Sequence, residues 1–260
     1  IDAGLKELRW HRFATGLYHP LGLKVVDGHI YVLERGQITR LIDKNNDGEA
    51  DYYECITNNW HTGPGEHSYD SNLEVDAEGN FYFFKTGDDN LPHGGTLLRC
   101  HKDGSNLEVF CTGFRHPMAL SVSPRGQVTG SDQEGNWIPS TRVDFFQRGG
   151  FYGFMPGHHC PGKPTTYDDP VCWLPRSLCN SAGGHSWVPE GGWGPLSGQL
   201  LHLSYGRCRM AYVFPPQEVG GKLQSGAVDL GVKFLSGIFR GRFHPGDGHF
   251  YACGLNGWQT

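Results

Sequence analysis

The stretch GEHSYDSNLEVDAEGNFYFFKTGD (65–88) places acids and a histidine at the two ends of one strand-turn-strand unit. Glu66 directly precedes His67, and Asp88 follows the aromatic run Phe81–Phe84. A histidine held by a carboxylate can take the proton of a substrate hydroxyl. The pattern therefore suggests a base and its partners. The alternative is an ordinary strand pair in which His67 caps a turn.

Other polar and aromatic residues, far apart in the chain, are candidates for one common site. Arginine forks bind carboxylates through two hydrogen bonds, and a tryptophan face can stack on a flat ring. In a structural role, each arginine would form a salt bridge and the tryptophan would be part of the core. The candidates are Arg115-His116, SDQEGN (131–136), Trp173, SYGR (204–207) and the pair Arg240 and Arg242.

The segment DKNNDGEADYYE (43–54) has the spacing of a calcium-binding loop. Calcium takes six to eight oxygen ligands, and a glycine at the sixth position permits the sharp turn. The flanking segments QITRLI and YYECI are typical of strands, so a structural calcium hairpin is expected. The alternative is an acidic turn without metal. The predicted ligands are Asp43, Asn45, Asp47, the carbonyl of Glu49, Asp51 and Glu54.

Composition and repeats indicate which elements carry these residues. The 260 residues include 39 glycines, 16 prolines and 13% aromatic residues, and sustained helical periodicity is lacking. An apolar strand, a glycine turn and a second strand recur as PLGLKVVDGHIYVLERG, SNLEVDAEGNFYFFKTG, MALSVSPRGQVTGSD, WGPLSGQLLHLSYG and FRGRFHPGDGHFYACG. The turns at Gly28, Gly79 and Gly126 are roughly 50 residues apart, as in four-stranded propeller blades.

We therefore predict an all-β fold, a six-bladed β-propeller with little helix and a loop-rich insertion around 150–190 over one face. A β-sandwich is the alternative. We expect residues 1–260 to form a single propeller domain. The last repeat stops soon after its second strand, which indicates an excised part of a longer chain. Blade loops meet at the mouth of the central channel, so the distant polar residues are expected to converge there.

The sequence disfavours nucleic-acid binding, a membrane span, a zinc ribbon and a covalent haem. The net charge is −5 and no Lys/Arg run suggests nucleic-acid binding. No apolar stretch is long enough to span a bilayer. The eight cysteines contain no C-x-x-C motif, which argues against a zinc ribbon or covalent haem. They leave open free thiols or disulfides, with Cys100–Cys111 and Cys172–Cys179 as candidate pairs.

The block GFRHPMALSVSPRGQVTGSDQEGN…VDFFQRGGFYG resembles the G-x-R-N-P-x-G-L-x-x-x-P-x-G core of the glucose/sorbosone dehydrogenase family. The chain is also similar to propeller domains of large secreted dehydrogenase-like bacterial proteins. The resemblance extends over nearly the whole chain and is strongest between Gly113 and Gly153. It implies a six-bladed propeller that uses pyrroloquinoline quinone (PQQ) and Ca²⁺ outside the cytoplasm, in the periplasm or extracellular space.

The resemblance also implies roles for individual residues. His67 corresponds to the family's general base, with Glu66 and Asp88 as catalytic neighbours. The loop that holds the active-site calcium falls near Glu134-Gly135. His116 replaces the family's asparagine, EHSYDSN is longer than its counterpart, and the calcium loop lacks its proline. The residues that correspond to cofactor contacts are Arg115, His116, Trp173, Arg207, Arg240 and Arg242.

Three functions remain open from the sequence. The first is a PQQ- and calcium-dependent oxidoreductase that oxidises a sugar or polyol and passes electrons to an external acceptor such as a cytochrome c. The second is a metal-dependent hydrolase or lyase acting on a carbohydrate. The third is a non-catalytic carbohydrate- or protein-binding propeller, because one fold supports many functions.

Overall fold

The computed structural model describes residues 7, 9–87, 91–135 and 137–256, and almost all of its regular structure is β. Among these residues, the only helices are two three-residue 3₁₀ turns, Met155–Gly157 and Gly194–Leu196. The prediction of an all-β chain with little helix is confirmed. Within the described part of the chain, neither helix has the length or apolar character that a bilayer crossing requires.

The strands form antiparallel sheets that follow one another along the chain. Blade 1 contains β1 (Gly22–Val26), β2 (His29–Glu34), β3 (Gln37–Ile42) and β4 (Tyr52–Thr57). Blade 2 contains β5 (Asp70–Val75), β6 (Asn80–Lys85), β7 (Thr96–His101) and β8 (Glu108–Thr112). Blade 3 contains β9 (Ala119–Val122), β10 (Val128–Ser131), β11 (Thr141–Phe145) and β12 (Cys172–Leu174).

The remaining strands complete a fourth blade and two hairpins. Blade 4 contains β13 (Ala182–Trp187), β14 (Leu200–Ser204), β15 (Arg209–Val213) and β18 (Ala227–Lys233). A small hairpin, β16 (Gln217–Val219) and β17 (Lys222–Gln224), interrupts it. The last pair is β19 (Gly237–Phe243) and β20 (Phe250–Leu255). The described residues thus form four complete blades and two two-stranded sheets, and the count of six blades is not confirmed.

The glycine turns that repeat in the sequence join the first two strands of successive sheets. Gly28, Gly79 and Gly126 have φ values of +76°, +85° and +79°. This left-handed conformation carries little steric cost only for glycine, so these turns fix each hairpin. Gly198 and Gly248 lie in the equivalent connections of blade 4 and β19–β20, again with positive φ. Each sequence repeat is therefore the inner hairpin of a sheet.

The aromatic run of β6 shows how neighbouring blades are held together. Phe81 and Phe83 pack into the core between blades 1 and 2, whereas Tyr82 and Phe84 pack into the core between blades 2 and 3. Successive side chains of a strand point to opposite faces, so one central strand fills two cores. Equivalent apolar clusters join blade 3 to blade 4, and blade 4 to β19–β20.

The first strand of each sheet lies next to the first strand of the following one, in the order β1, β5, β9, β13 and β19. These inner strands surround the channel. Because the strands alternate in direction, connections alternate between two ends of the blades. We call the end with the β4–β5, β8–β9 and β12–β13 loops the upper face. The opposite end, with the β1–β2 and β3–β4 turns, is the lower face.

The predicted insertion is shorter than expected, and part of it packs on the β6–β7 connection of the upper face, where His159 Nε2 meets the Gly94 carbonyl. Residues 172–174 and 182–187 are strands of blades 3 and 4, so the long connection is 146–171. Part of it runs beside β8: Tyr152 N donates to the Thr112 carbonyl at 2.9 Å, and Phe154 N donates to the Gly113 carbonyl at 2.8 Å. It therefore seals the outer gap between blades 2 and 3.

Both candidate disulfides are wrong, because all eight cysteines are free. Cys100 belongs to the core between blades 1 and 2, whereas Cys111 belongs to the core between blades 2 and 3. Their side chains thus point to opposite faces of one sheet and cannot meet. Cys179 Sγ instead lies 3.2 Å from His202 Nε2, within the fully buried interior of blade 4.

Candidate active site

His67 lies exposed in the β4–β5 loop, on the upper face. Its ring stacks on that of His116 from the β8–β9 loop, with centroids 4.9 Å apart and planes inclined by 23°. Tyr69 lies on the other side of the pair, 6.1 Å from the His116 ring. His116 is only 4% exposed, so its buried ring supports the exposed ring of His67. The structure thus brings together two predicted site residues from different blades, with Glu66 exposed beside them.

The loop that carries His67 is anchored by side chains from two other strand connections. The Arg35 guanidinium Nη2 donates to the carbonyls of Gly63 and Gly65, the latter at 2.8 Å. Thr86 Oγ1 donates to the carbonyl of His67 itself. Arg35 follows β2 and Thr86 follows β6, so both reach the loop from the upper ends of their strands. These contacts fix the backbone on which the imidazole is mounted.

A buried charged pair that the sequence reasoning missed lies directly below this loop. Lys85 is fully buried at the upper end of β6, and its Nζ donates to Ser68 Oγ at 3.0 Å. Asp70 is its partner across the β5–β6 ladder. Burial raises the pKa of Asp70, although hydrogen bonds from Trp60 and Gly36 and the charge of Lys85 oppose the shift. The only sequence signal was a lysine at the end of an aromatic strand.

Asp132 shapes the turn that presents Arg115 and His116. It is fully buried after β10, and its carboxylate accepts hydrogen bonds from the backbone N–H of Arg115 at 2.6 Å, His116 at 2.8 Å and Gln133 at 2.8 Å. Burial raises its pKa to about 6, against the effect of those N–H groups. Sequence reasoning included SDQEGN but did not identify Asp132 as the residue that fixes the turn.

Three arginines from three connections gather around Glu134 on the upper face. Arg115 Nη1 donates to the Glu134 carbonyl at 3.2 Å, and Arg176 Nε donates to Glu134 Oε2 at 2.7 Å. Arg207 Nε donates to the Arg176 carbonyl at 2.7 Å. The Glu134 carboxylate is thus paired with Arg176, while Arg115 and Arg207 bond the backbone carbonyls of Glu134 and Arg176. Arg115 and Arg207 were predicted for this site, whereas Arg176, 69% exposed, was not.

The same contacts bear on the predicted calcium loop at Glu134-Gly135. The Arg115 guanidinium packs against Gly135 so closely that a Cβ there would lie 2.7 Å from its carbon. The Arg115 guanidinium therefore already bonds the Glu134 carbonyl and fills the space beside Gly135 that a cation would need. As they stand, these residues do not fit calcium, and no step is assigned to calcium at this position.

Arg240 lies on the inner strand β19, where its guanidinium bonds backbone carbonyls of neighbouring blades. Its Nη1 donates to the carbonyls of Met118, Gly183 and Phe239, and its Nη2 donates to that of Leu21 at 3.4 Å. Burial of the charge, together with Arg242, lowers the pKa of Arg240 to about 10. The guanidinium thus joins the inner edges of several blades instead of presenting a free fork.

Arg242 lies toward the opposite end of the channel from His67. Its Nη2 bonds Glu74 Oε1, and Lys24 Nζ bonds the other oxygen of the same carboxylate. Glu74 is at the lower end of β5, with its side chain only 3% exposed. Residues 240 and 242 are separated by two positions of an extended strand, about 7 Å. The structure therefore does not bring Arg242 to the upper site.

Trp173 also lies elsewhere, on the outermost strand of blade 3. Its ring faces Arg142, whose guanidinium carbon is 5.3 Å from the ring centroid. Arg142 is fully buried and paired with Asp144 through Nε at 2.8 Å, and Tyr152 and Tyr167 also flank it. Trp173 thus covers a buried ion pair, and the aromatic surface available near His67 is that of His116 and Tyr69.

The predicted calcium hairpin forms the β3–β4 turn on the lower face. Its carboxylates accept the turn's own N–H groups: Asp43 Oδ2 from Gly48 at 2.8 Å, and Asp51 Oδ2 from Lys44 at 2.8 Å. Glu54 does not turn to the loop, because β4 carries it to Arg40 at 2.6 Å.

No three His, Cys, Asp or Glu residues in the described ranges are grouped to hold a metal. Calcium binding in the hairpin stays a prediction for Asp43, Asn45, Asp47, Glu49 and Asp51. The predicted catalytic residue Asp88 lies outside the described residues.

Comparison with protein-family models and with curated proteins gives no match for this sequence. Solved structures do match. A protein from Thermus thermophilus described as an oxidoreductase (glucose dehydrogenase) is 18% identical, covers 92% of this chain and 79% of its own, and has a TM-score of 0.67. A second glucose dehydrogenase is 15% identical over 91% and 80% of the two chains, with a TM-score of 0.68.

A nidogen–laminin complex also matches, at 14% identity and a TM-score of 0.55, over 90% of this chain and 71% of the matched chain. At these low sequence identities, the structural matches show the fold alone. The resemblance to glucose dehydrogenases is thus confirmed as a shared β-propeller fold. The activity has to be argued from the site, since a nidogen–laminin complex contains a similar structure.

The residues of the upper face offer positive charge and stacking rings that suit PQQ. Fewer of the predicted cofactor contacts lie there than the sequence indicated. PQQ is a planar tricarboxylate, and Arg115, Arg176 and Arg207 supply guanidinium groups beside the stacked rings of His67 and His116. Trp173, Arg240 and Arg242 are committed to other contacts, as described above.

Proposed function

We propose that the chain is an oxidoreductase that oxidises a hydroxyl group of a sugar or polyol at the upper mouth of its channel. The cofactor would be PQQ, and electrons would pass to an external acceptor such as a cytochrome c. One observation carries this proposal. The exposed His67 is stacked on the buried His116, and on the same face Arg115, Arg176 and Arg207 are linked by hydrogen bonds around Glu134, whose carboxylate pairs with Arg176 alone.

His67 would accept the proton of the substrate hydroxyl. Its ring is exposed, so a small substrate can reach it, and the stack on His116 restricts its orientation. A base must be within hydrogen-bond reach of the proton that it removes, and a fixed ring lowers the cost of that arrangement. Glu66, adjacent in the chain and also exposed, would stabilise the imidazolium that forms.

The three arginines would hold the carboxylates of the cofactor. When bound, PQQ supplies the acceptor for the hydride that leaves the substrate carbon. The role of the protein is then to bind and orient. Arg115 and Arg207 each have one side-chain hydrogen bond to a backbone carbonyl of a described residue, so most of their N–H groups can turn to a carboxylate. Glu134 balances part of the positive charge until an anion binds.

We propose that the enzyme works in the periplasm or outside the cell, as the resemblance seen in the sequence implies. Sugar substrates and diffusible electron acceptors are available there. Calcium remains part of the proposal as an added ion in the assay, without an assigned step.

The test is a dye-linked assay of the protein supplied with PQQ and Ca²⁺ and a panel of aldoses and polyols. We expect substrate-dependent dye reduction, and we expect His67→Ala to abolish it while PQQ still binds, because the base acts in the chemical step. His29→Ala is the matched control, since His29 is an exposed histidine at the lower face. It should retain wild-type turnover.

Other outcomes would select the alternatives. Carbohydrate turnover that requires a metal but no quinone would support a hydrolase or lyase. Binding of PQQ with no turnover of any sugar, or a fully active His67→Ala variant, would contradict the proposal and leave the hypothesis of a binding propeller.

A further inference from the structure

We propose a second binding site, for a neutral pyranose unit of an oligosaccharide, in a pocket of the lower face between blades 3 and 4. The pocket has a volume of about 290 Å³ and lies where β9–β10, β11, β13–β14 and β15 reach the lower face. The histidine and arginine site lies on the upper face. This second site therefore does not depend on the proposed oxidation chemistry.

Aromatic side chains form one wall of the pocket. Trp187 and Phe145 meet edge to face, with centroids 6.2 Å apart and planes at 89°. Phe214 lies across from them at the end of β15 and is 45% exposed. A pyranose has C–H-rich faces that pack on aromatic rings, and ligand pockets typically combine such walls with a few polar groups. The wall therefore suits the face of a sugar ring.

Polar groups that can bind hydroxyls surround the aromatic wall. Arg125 Nη2 and Glu190 Oε1 are 3.5 Å apart at the rim, and both side chains are exposed. Gln127 and Gln199 also line the pocket. Amide, guanidinium and carboxylate groups offer donors and acceptors in fixed planes, which suits the paired hydroxyls of a sugar.

The charges of the pocket favour a neutral sugar over an acidic one. Arg125 and Glu190 are the two charged residues of the lining, and their charges cancel. A uronic acid or a sugar phosphate would meet no excess positive charge here, in contrast to the three arginines of the upper face. A neutral oligosaccharide bound at this site would anchor a polymeric substrate to the protein away from the reacting end.

Binding can be tested with three neutral probes: cellopentaose, maltopentaose and mannopentaose. Titration would follow tryptophan fluorescence and heat. We expect at least one to bind, and Phe214→Ala and Trp187→Phe to weaken it by about tenfold, the scale of one lost aromatic contact. Trp10→Ala is the control for fluorescence, because Trp10 is 89% exposed elsewhere on the surface. It should leave the affinity unchanged.

The result is separable from the oxidation chemistry. His67→Ala should bind the pentaose as tightly as the wild type, whatever its turnover. If none of the three pentaoses binds at millimolar concentration, the proposal is overturned. It is also overturned if a pentaose binds with unchanged affinity to the folded Phe214→Ala and Trp187→Phe variants. Tighter binding of a proline-rich peptide than of any pentaose would identify a peptide groove instead.

Discussion

The interior of blade 4 should make the protein sensitive to acid through His202. This side chain is fully buried on β14, with Nδ1 3.1 Å from His185 Nε2 and Nε2 3.2 Å from Cys179 Sγ. Ser131 Oγ completes the cluster, 3.1 Å from His185 Nε2. No carboxylate belongs to this set of hydrogen-bonded side chains. A proton on either ring would therefore be a buried charge without a counter-ion, which is costly.

The direction of the pH effect follows from the two histidine pKa values. Burial lowers the pKa of His202 from 6.5 to about 3, and burial followed by His202 lowers that of His185 well below its ordinary value. Below about pH 6.5 the unfolded chain takes up a proton at His202 that the folded protein excludes. The contribution of His202 to stability is thus complete above pH 6.5 and is lost as pH falls toward 3.

At about 1.4 kcal/mol per pKa unit, the shift of His202 is worth about 5 kcal/mol across that window. The local slope is at most about 1.4 kcal/mol per pH unit for one site. Asp132, with a pKa raised to about 6, acts in the opposite direction, since its burial favours the folded protein at low pH. The pH dependence of the wild-type unfolding free energy therefore combines both groups. A comparison with a variant isolates the contribution of His202.

The assay is urea unfolding of the wild type and of His202→Gln between pH 7 and about pH 4.5, with the free energy of unfolding extrapolated to water. Glutamine keeps a polar side chain but does not titrate. We expect the variant to lose stability less steeply, by about 1 kcal/mol per pH unit. His101→Gln, a change at an exposed histidine, should keep the wild-type slope. Equal slopes for the wild type and His202→Gln would refute the reasoning.

Three further predictions follow from other parts of the structure. Arg142→Met should lower the free energy of unfolding by about 3 to 5 kcal/mol, because it leaves the buried Asp144 carboxylate without its ion-pair partner. Chemical denaturation should show that the double variant Arg142→Met/Asp144→Leu recovers part of this loss. Gly135→Ala should weaken PQQ binding several-fold with little change in melting temperature, because its Cβ would displace the Arg115 guanidinium; an unaltered affinity would count against Arg115. Titration of the native protein with a thiol reagent should give a fast phase from the exposed cysteines alone, and equal rates for all eight would contradict the buried placement of the others. The exposed thiols are Cys55, Cys160 and Cys253.

The sequence contained enough local information to predict the blade architecture. Turn glycines such as Gly28 and Gly79 mark positions that need positive φ, and that requirement is set by the backbone alone. The alternation in Phe81–Phe84 likewise depends only on the period of a strand. The position of His67 at a loop on the channel end followed from the same repeat.

The predicted site residues that lie away from the upper face are positioned by longer-range geometry. Arg240 and Arg242 follow an irregularity in the β19–β20 pairing, between Ile238 and Arg240, that the sequence did not reveal. Trp173 lies on a strand of three residues, too short to be recognised as the outer edge of a blade. Lys85 is buried by residues from other parts of the chain, and no local sequence pattern predicts that burial.

The central claim is that the upper mouth, through Arg115 and Arg207, holds the acidic cofactor. It is tested most directly by the dissociation constant of PQQ for the wild type and for Arg115→Ala, Arg207→Ala and Arg242→Ala. Loss of a hydrogen bond to a charged group costs about 1.5 to 3 kcal/mol, so each of the first two changes should weaken binding by roughly 10- to 150-fold. Arg242→Ala should bind PQQ like the wild type, because Arg242 is paired with Glu74 toward the lower end of the channel. Weakened binding in Arg242→Ala with unchanged binding in the other two would contradict the account.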